Sequence, residues 1–347
     1  MKACVLHKVG DLRVEDVPTP KPQKGEVLVK IKASGICGSD IQRVFVKGTY
    51  HFPTIPGHEF SGEIAELGKG VDPSYLGKKV AVFPLLPCMK CDNCQIGQYA
   101  QCINYNYFGS RCDGGFAEYI AVPVWNLVFV PDSLSYEEAA MCEPSAVAVH
   151  ALRQGEVEIG DTIIIYGAGT IGLLLGLWAK AMGTDKVLLV DIDESKITFA
   201  KKIGFQYVWN SNDGNPITWV KKVTEDRGAD ISIEGVGISI TLEQCLKSVR
   251  TFGKVIAMGN PIGDMILSQK GYWEILRKQL KIMGTWNSSY VSLPKNDWKL
   301  TIHAMEKRQI DVKELITHKI PLTDGIKPFE MIRDKKEFFN KVIYVMK

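Results

Sequence analysis

Four cysteines stand close together, Cys88, Cys91, Cys94 and Cys102, spaced C-x2-C-x2-C-x7-C in a polar, proline-flanked segment over 84–101. Thiolates are soft ligands. Four of them at about 2.3 Å close a tetrahedral shell around zinc, and short spacings let one loop wrap the ion. Such a shell leaves no position for a substrate, so the run predicts a structural zinc. Disulfides or an iron–sulfur cluster are the other readings. The chain has nine cysteines, so at least one thiol stays unpaired. Its first residues, Met1-Lys2-Ala3-Cys4-Val5-Leu6-His7, lack the apolar core of a secretory signal. Both features favour zinc in a reducing cytoplasm.

Scattered residues make a second set. Cys37 lies in Gly35-Ile36-Cys37-Gly38-Ser39-Asp40, His58 in Pro56-Gly57-His58-Glu59-Phe60, and Glu143 in Cys142-Glu143-Pro144. One thiolate, one imidazole and one carboxylate suit a catalytic zinc with an open fourth position. Taken singly, a cysteine is usually a small buried hydrophobe and a histidine structural. Ser39 is placed either to relay a hydroxyl proton or to cap a helix beginning at Asp40. Asp40 suits the orienting of a ligand from behind.

A third motif, Gly167-Ala168-Gly169-Thr170-Ile171-Gly172, fits G-x-G-x-x-G. It follows the apolar run Thr162-Ile163-Ile164-Ile165-Tyr166 and opens a predicted helix over about 169–182, the context in which the motif binds a dinucleotide. The first glycine permits the turn, the second admits a pyrophosphate and the third lets helix pack on strand. Asp191, 19 residues after Gly172, ends the next predicted strand. A carboxylate there accepts from both ribose hydroxyls, and with Asp193 it repels a 2′-phosphate, so NAD is expected rather than NADP. A glycine-rich turn with an incidental aspartate is the plainer reading.

These residues need two kinds of scaffold. Two domains are expected of 347 residues, and 46% hydrophobic with 23% charged residues is ordinary for a globular enzyme. A net charge of +3 without a basic block gives no footprint for nucleic acid or a membrane surface. No apolar run is long enough to cross a bilayer. Over 1–135 the chain is rich in Pro, Gly and short alternating runs such as Val27-Leu28-Val29-Lys30-Ile31-Lys32 and Lys79-Val80-Ala81-Val82-Phe83, a β-rich pattern. From about 160, apolar strands (Lys186-Val187-Leu188-Leu189-Val190, Ile231-Ser232-Ile233, Lys254-Val255-Ile256-Ala257-Met258) alternate with helical stretches, as in a doubly wound parallel sheet.

Order and spacing of Cys37-Gly38-Ser39-Asp40, Gly57-His58-Glu59, the four-cysteine run, Asp113-Gly114-Gly115-Phe116-Ala117-Glu118-Tyr119, Glu143-Pro144 and the glycine motif resemble the zinc-dependent medium-chain alcohol and polyol dehydrogenases over essentially the whole chain. The resemblance implies a GroES-like catalytic domain, 1–144 and 286–347 with a zinc lobe at 84–104, interrupted by a Rossmann NAD-binding domain at 145–285. It implies a homodimer or homotetramer. It places Cys37, His58 and Glu143 at the catalytic zinc, Glu59 as a second carboxylate that approaches the metal directly or through water, and Ser39 at the relay. The family's downstream relay histidine is replaced by Gln42. Ile171 and Gly259 fall beside the nicotinamide, and Lys196 beside the adenosine ribose. Glu143-Pro144 points to the polyol branch. Phe83-Pro84-Leu85-Leu86-Pro87-Cys88, Tyr107-Phe108-Gly109-Ser110-Arg111 and Gly284-Thr285-Trp286-Asn287 point within it to enzymes that oxidise a secondary hydroxyl of a sugar-alcohol phosphate such as galactitol 1-phosphate. Such a substrate needs cations, and Arg43, Lys47 and Arg111 are the candidates. A free polyol such as sorbitol or butanediol, L-threonine, or a non-catalytic zinc-binding role are the alternatives.

Overall fold

The computed structural model describes residues 1–346. The chain divides into two compact units: Met1–Pro144 together with the chain from Ser289 onward, and Ser145–Ser288.

The first unit is built on a seven-stranded sheet. Its longest strand, Glu26–Gly35, alternates as the sequence does. Val27, Val29 and Ile31 face a core of Phe60, Ile64, Val80, Val82, Ile120 and Val122. It pairs antiparallel with Glu59–Leu67 on one side and Lys341–Val345 on the other, with Gly35 opposite both Glu59 and Ile343. This register brings Cys37 (just past one strand end) beside the start of two others. The four-cysteine loop leaves and re-enters through a short antiparallel pair, Leu85–Leu86 with Asn106–Tyr107. The buried amide of Asn126 donates to the carbonyls of Phe83 and Leu85. Phe83 stacks on Tyr290 at 4.2 Å and meets Trp298 edge-on, so residues after 289 complete this core.

The second unit is a six-stranded parallel sheet. Tyr207–Asn210, Lys186–Asp191, Thr162–Tyr166, Ala229–Glu234, Val249–Ala257 and Lys281–Gly284 lie side by side in that order. Thr162–Tyr166 is buried throughout, as its unbroken apolar run requires. The order reverses between Thr162–Tyr166 and Ala229–Glu234, and the crevice beyond the carboxyl ends of strands at such a reversal is where ligands bind. Helices Thr170–Ala181 and Glu194–Lys202 follow the first two strands of the pattern. Among the described residues, no helix is long and apolar enough to cross a membrane.

Candidate metal centres and cofactor cradle

Cys37, His58 and Glu59 each offer a ligand atom within 4.8 Å of the other two, with His58 and Glu59 buried. Asp40 orders them from behind. Wholly buried, it accepts from the Cys37 backbone N–H at 3.0 Å and from Arg43 Nη1 at 2.7 Å, and it lies 3.4 Å from His58 Nδ1. A carboxylate at Nδ1 leaves Nε2 to face a metal. Burial alone would raise the Asp40 pKa, but His58, Arg43 and the Cys37 N–H bring it down to about 2. Ser39 is not the helix cap. The short helix Gly38–Gln42 begins after Cys37, and the Ser39 hydroxyl instead accepts from Arg43 Nη1 at 2.9 Å.

Glu143, which the sequence put ahead of Glu59, stands outside the set of three. Tyr107 donates its hydroxyl to Glu143 Oε1 at 3.3 Å, and the Tyr107 ring lies 5.7 Å from that of His58. Glu59 is held by Lys341, whose buried ammonium donates to Glu59 Oε2 and, at 3.1 Å, to the Ile36 carbonyl. A side chain at Gly35 would overlap the Glu59 carboxylate, so this strand end must be bare for the pair to fit. Neither Lys341 nor Tyr107 was expected from the sequence as part of the site.

The electrostatics leave room for a divalent cation. Burial and the neighbouring Glu59 push Glu143 up to about 7, with His58, Lys341 and Tyr107 pulling the other way. Burial opposes charge on His58, yet Asp40 and Cys37 hold its pKa well above the usual range. Lys341 is likewise raised, burial being outweighed by Glu59, Cys37 and Glu143. The donor set of thiolate, imidazole and carboxylate fits zinc.

The four-cysteine loop fits the ion as well. Tetrahedral ligands at zinc–sulfur distance stand about 3.8 Å apart. Here Cys91 and Cys94 sulfurs are 3.5 Å apart, Cys88 and Cys94 4.0 Å, and Cys91 and Cys102 4.0 Å. Backbone N–H groups aim at sulfur: Lys90 and Cys91 at Cys88 Sγ, both at 3.4 Å, and Cys88 at Cys102 Sγ at 3.2 Å. Such donors favour thiolate, and those of Ile103 and Cys94 bring Cys91 down to about 6. Burial does the reverse at Cys94, raised to about 12.

The glycine motif forms a cradle. Gly167 has φ +104°, which favours glycine. A Cβ at Gly172 would overlap the Gly167 carbonyl, whereas a Cβ at Gly169 would meet nothing within 4 Å, leaving open space for a phosphate at the start of helix Thr170–Ala181. Thr170 and Ile171 form its first turn. Asp191 Oδ2 accepts from the Ala168 N–H at 2.8 Å, and Lys196 Nζ lies 3.6 Å away. Gly259 and Gly237 pack backbone to backbone at the next two strand ends. The loop before them is shaped by Glu234, whose buried carboxylate accepts from the N–H groups of Val236 (2.9 Å) and Gly237 (2.8 Å) and from the Thr241 hydroxyl (2.7 Å). The sequence reading missed Glu234, since one acid after an apolar strand has no spacing signature.

Of the three cations offered for a substrate anion, Arg43 is engaged by Asp40 and Ser39, and Lys47 is exposed. Arg111 lies against the rings of Tyr50 and Tyr105.

Comparison with known proteins places both units. Residues 23–132 match the alcohol dehydrogenase GroES-like domain, and residues 170–307 match the zinc-binding dehydrogenase domain. Galactitol 1-phosphate 5-dehydrogenase of Escherichia coli (strain K12) is 35% identical over 92% of this chain and 92% of its own length. Sorbitol dehydrogenase of Bacillus subtilis (strain 168) is 32% identical over 99% and 97%. The crystal structure of galactitol-1-phosphate dehydrogenase from Escherichia coli superposes with a TM-score of 0.92 at 34% identity, covering 100% of each chain.

Proposed function

We propose, from the premise that the chain belongs to the zinc-dependent medium-chain alcohol and polyol dehydrogenases, that it oxidises a secondary hydroxyl of a sugar-alcohol phosphate to a ketose phosphate with NAD as hydride acceptor. The gathering of half-buried Cys37 with buried His58 and Glu59, and with Glu143 beside them, carries this reading. The similarity to galactitol 1-phosphate 5-dehydrogenase supports the substrate class.

Cys37, His58 and a carboxylate, Glu143 or Glu59, would hold the catalytic zinc, and Cys88, Cys91, Cys94 and Cys102 the structural one. When bound, the catalytic zinc lowers the pKa of a substrate hydroxyl, and the nicotinamide takes the hydride. The chain's own task is to bind, orient and move a proton. Asp40 fixes the His58 ring. Lys341 neutralises Glu59 and restrains it. Ser39 has one lone pair occupied by Arg43; the other can take the hydroxyl proton as Ser39, which is partly exposed, releases its own to solvent water. Arg43 is always charged and cannot receive that proton, so its part is to hold the Ser39 oxygen in place. Gly167, Gly169 and Gly172 cradle the pyrophosphate, Asp191 and Lys196 attend the ribose, and Ile171 and Gly259 border the nicotinamide.

We read the enzyme as cytoplasmic, since a loop of four thiols matched to zinc suits a reducing compartment. We read it as a homodimer or homotetramer, since the parallel sheet ends on an exposed strand, Lys281–Gly284, beside exposed Trp273 and Leu276. The deciding experiment is kcat/KM for galactitol 1-phosphate, galactitol, sorbitol, 2,3-butanediol and L-threonine, each with NAD and with NADP. A preference for the phosphate with NAD is expected. Equal values for galactitol and its phosphate would refute the phosphorylated substrate, and no turnover of any would refute the enzyme.

A further inference from the structure

Arg111 is held in an unusual way. Its guanidinium carbon lies 4.0 Å from the Tyr50 ring centroid and 4.5 Å from that of Tyr105. Its Nη2 donates to the Tyr50 hydroxyl at 3.1 Å. The nearby acid Asp113 is turned away, accepting from the Ile55 N–H at 2.9 Å. Among the described residues, no carboxylate pairs with Arg111. Both rings lie close to the guanidinium, and one Nη2 donor is already used by the Tyr50 hydroxyl. The remaining N–H groups form a planar fork, the shape that matches a phosphate bidentately. The two ring contacts and the bond to the Tyr50 hydroxyl also hold the long side chain in place beforehand, which cuts the ordering cost of binding.

The same stretch of chain borders the metal centre. Tyr107, whose ring faces His58 and whose hydroxyl reaches Glu143, meets Tyr105 edge-on at 6.5 Å. Its backbone carbonyl accepts from the Arg111 N–H at 3.0 Å. A row of side chains therefore runs His58, Tyr107, Tyr105, Arg111, from the reacting end to an unpaired cation. That arrangement suits a flexible polyol with a hydroxyl at one end of the row and an anion at the other.

We propose that Arg111, held against Tyr50 and Tyr105, is the specificity-determining residue that binds the substrate phosphate. This rests on the sugar-alcohol phosphate reading above. Arg43 donates through Nη1 to Asp40 and Ser39 beside the metal centre, and its task is positional.

The test is steady-state kinetics of Arg111→Gln, Arg111→Lys and Tyr105→Ala with galactitol 1-phosphate and with galactitol, alongside melting temperatures. For Arg111→Gln, kcat/KM on the phosphate should fall about 10- to 100-fold, the loss of a charge-assisted contact, mostly through KM. The value on galactitol should not move. Arg111→Lys should recover part of the loss and Tyr105→Ala show part of it. Inorganic phosphate should inhibit the wild type competitively against galactitol 1-phosphate and inhibit Arg111→Gln far less. An unchanged phosphate preference in Arg111→Gln would overturn the proposal while leaving the substrate reading intact. An equal fall on both substrates would overturn it too, as a structural effect. A wild type indifferent to the phosphate would refute the substrate reading itself.

Discussion

Three acids and a lysine share the buried metal centre, and their balance sets what happens when the metal is removed. Glu143 rises from 4.5 to about 7, and His58 rises too. A group whose folded pKa is raised contributes stability that is fully present below its unfolded pKa and is lost as pH rises through the folded value. Both groups act in that direction. Asp40, lowered to about 2, lies outside the window. Chelator-stripped protein should therefore lose melting temperature between pH 5 and 8, and Glu143→Gln should flatten that loss. Zinc needs its ligands deprotonated, so its affinity should strengthen as pH rises through about 7, where Glu143 ionises. Calorimetry and metal content at several pH values test the pair. Cys37→Ala should abolish turnover and leave a folded, NAD-binding protein; unchanged turnover would refute the site. Asp191→Ser should raise kcat/KM with NADP relative to NAD, and an unaltered ratio would count against its place at the ribose. The sequence made Cys37 and His58 visible through flanking motifs. It could not announce Lys341, which meets Glu59 from 282 residues away, nor Tyr107, an aromatic residue without a telling neighbour pattern.

Elements built from local spacing were the most legible. The strands at 162, 186 and 229 and the helix after Gly169 follow from apolar runs and one glycine motif, because pattern and structure there span the same few residues. The helix at Asp40 was harder: it is a single short turn, and its start lies at Cys37 with an acid reaching back to the backbone, so Ser39 was free for Arg43. The glycine cradle gives a paired prediction. Gly172→Ala would force helix from strand and should destabilise by about 1–3 kcal/mol, the usual cost of overpacking. Gly169→Ala meets open space and should leave the melting temperature almost unchanged while raising KM for NAD. Thermal melts with NAD titrations separate the two, and the same response from both would refute the distinct roles. In the cysteine loop, Cys91→Ser should lower zinc content by one per chain and lower the melting temperature. It touches no proposed reacting group, so a selective loss of kcat in a fully stable protein would contradict a bracing role.

At the scale of the molecule, the two units differ in how the chain makes them. Ser145–Ser288 is one continuous stretch, whereas the first unit is interrupted by it. Its exposed strand Lys281–Gly284 carries the oligomer prediction: Ile282→Asp should shift the mass in light scattering toward the monomer. No change would place the interface elsewhere. The division was legible because barrel-like punctuation gives way to strand–helix alternation. The return was legible only as a change of pattern near 286, since the residues that rejoin the first core, Tyr290 and Trp298, are aromatics spaced by a loop. The pairing of Lys341–Val345 with Glu26–Gly35 sets an order in time. During synthesis the inserted unit can fold as soon as Ser288 has emerged, and the four-cysteine loop, closed over 15 positions, can capture its ion earlier still. The Cys37 centre must wait for Lys341 to neutralise Glu59, so its thiol spends most of synthesis unprotected, open to oxidation or to the wrong metal. The brace is loaded first and the reactive centre last.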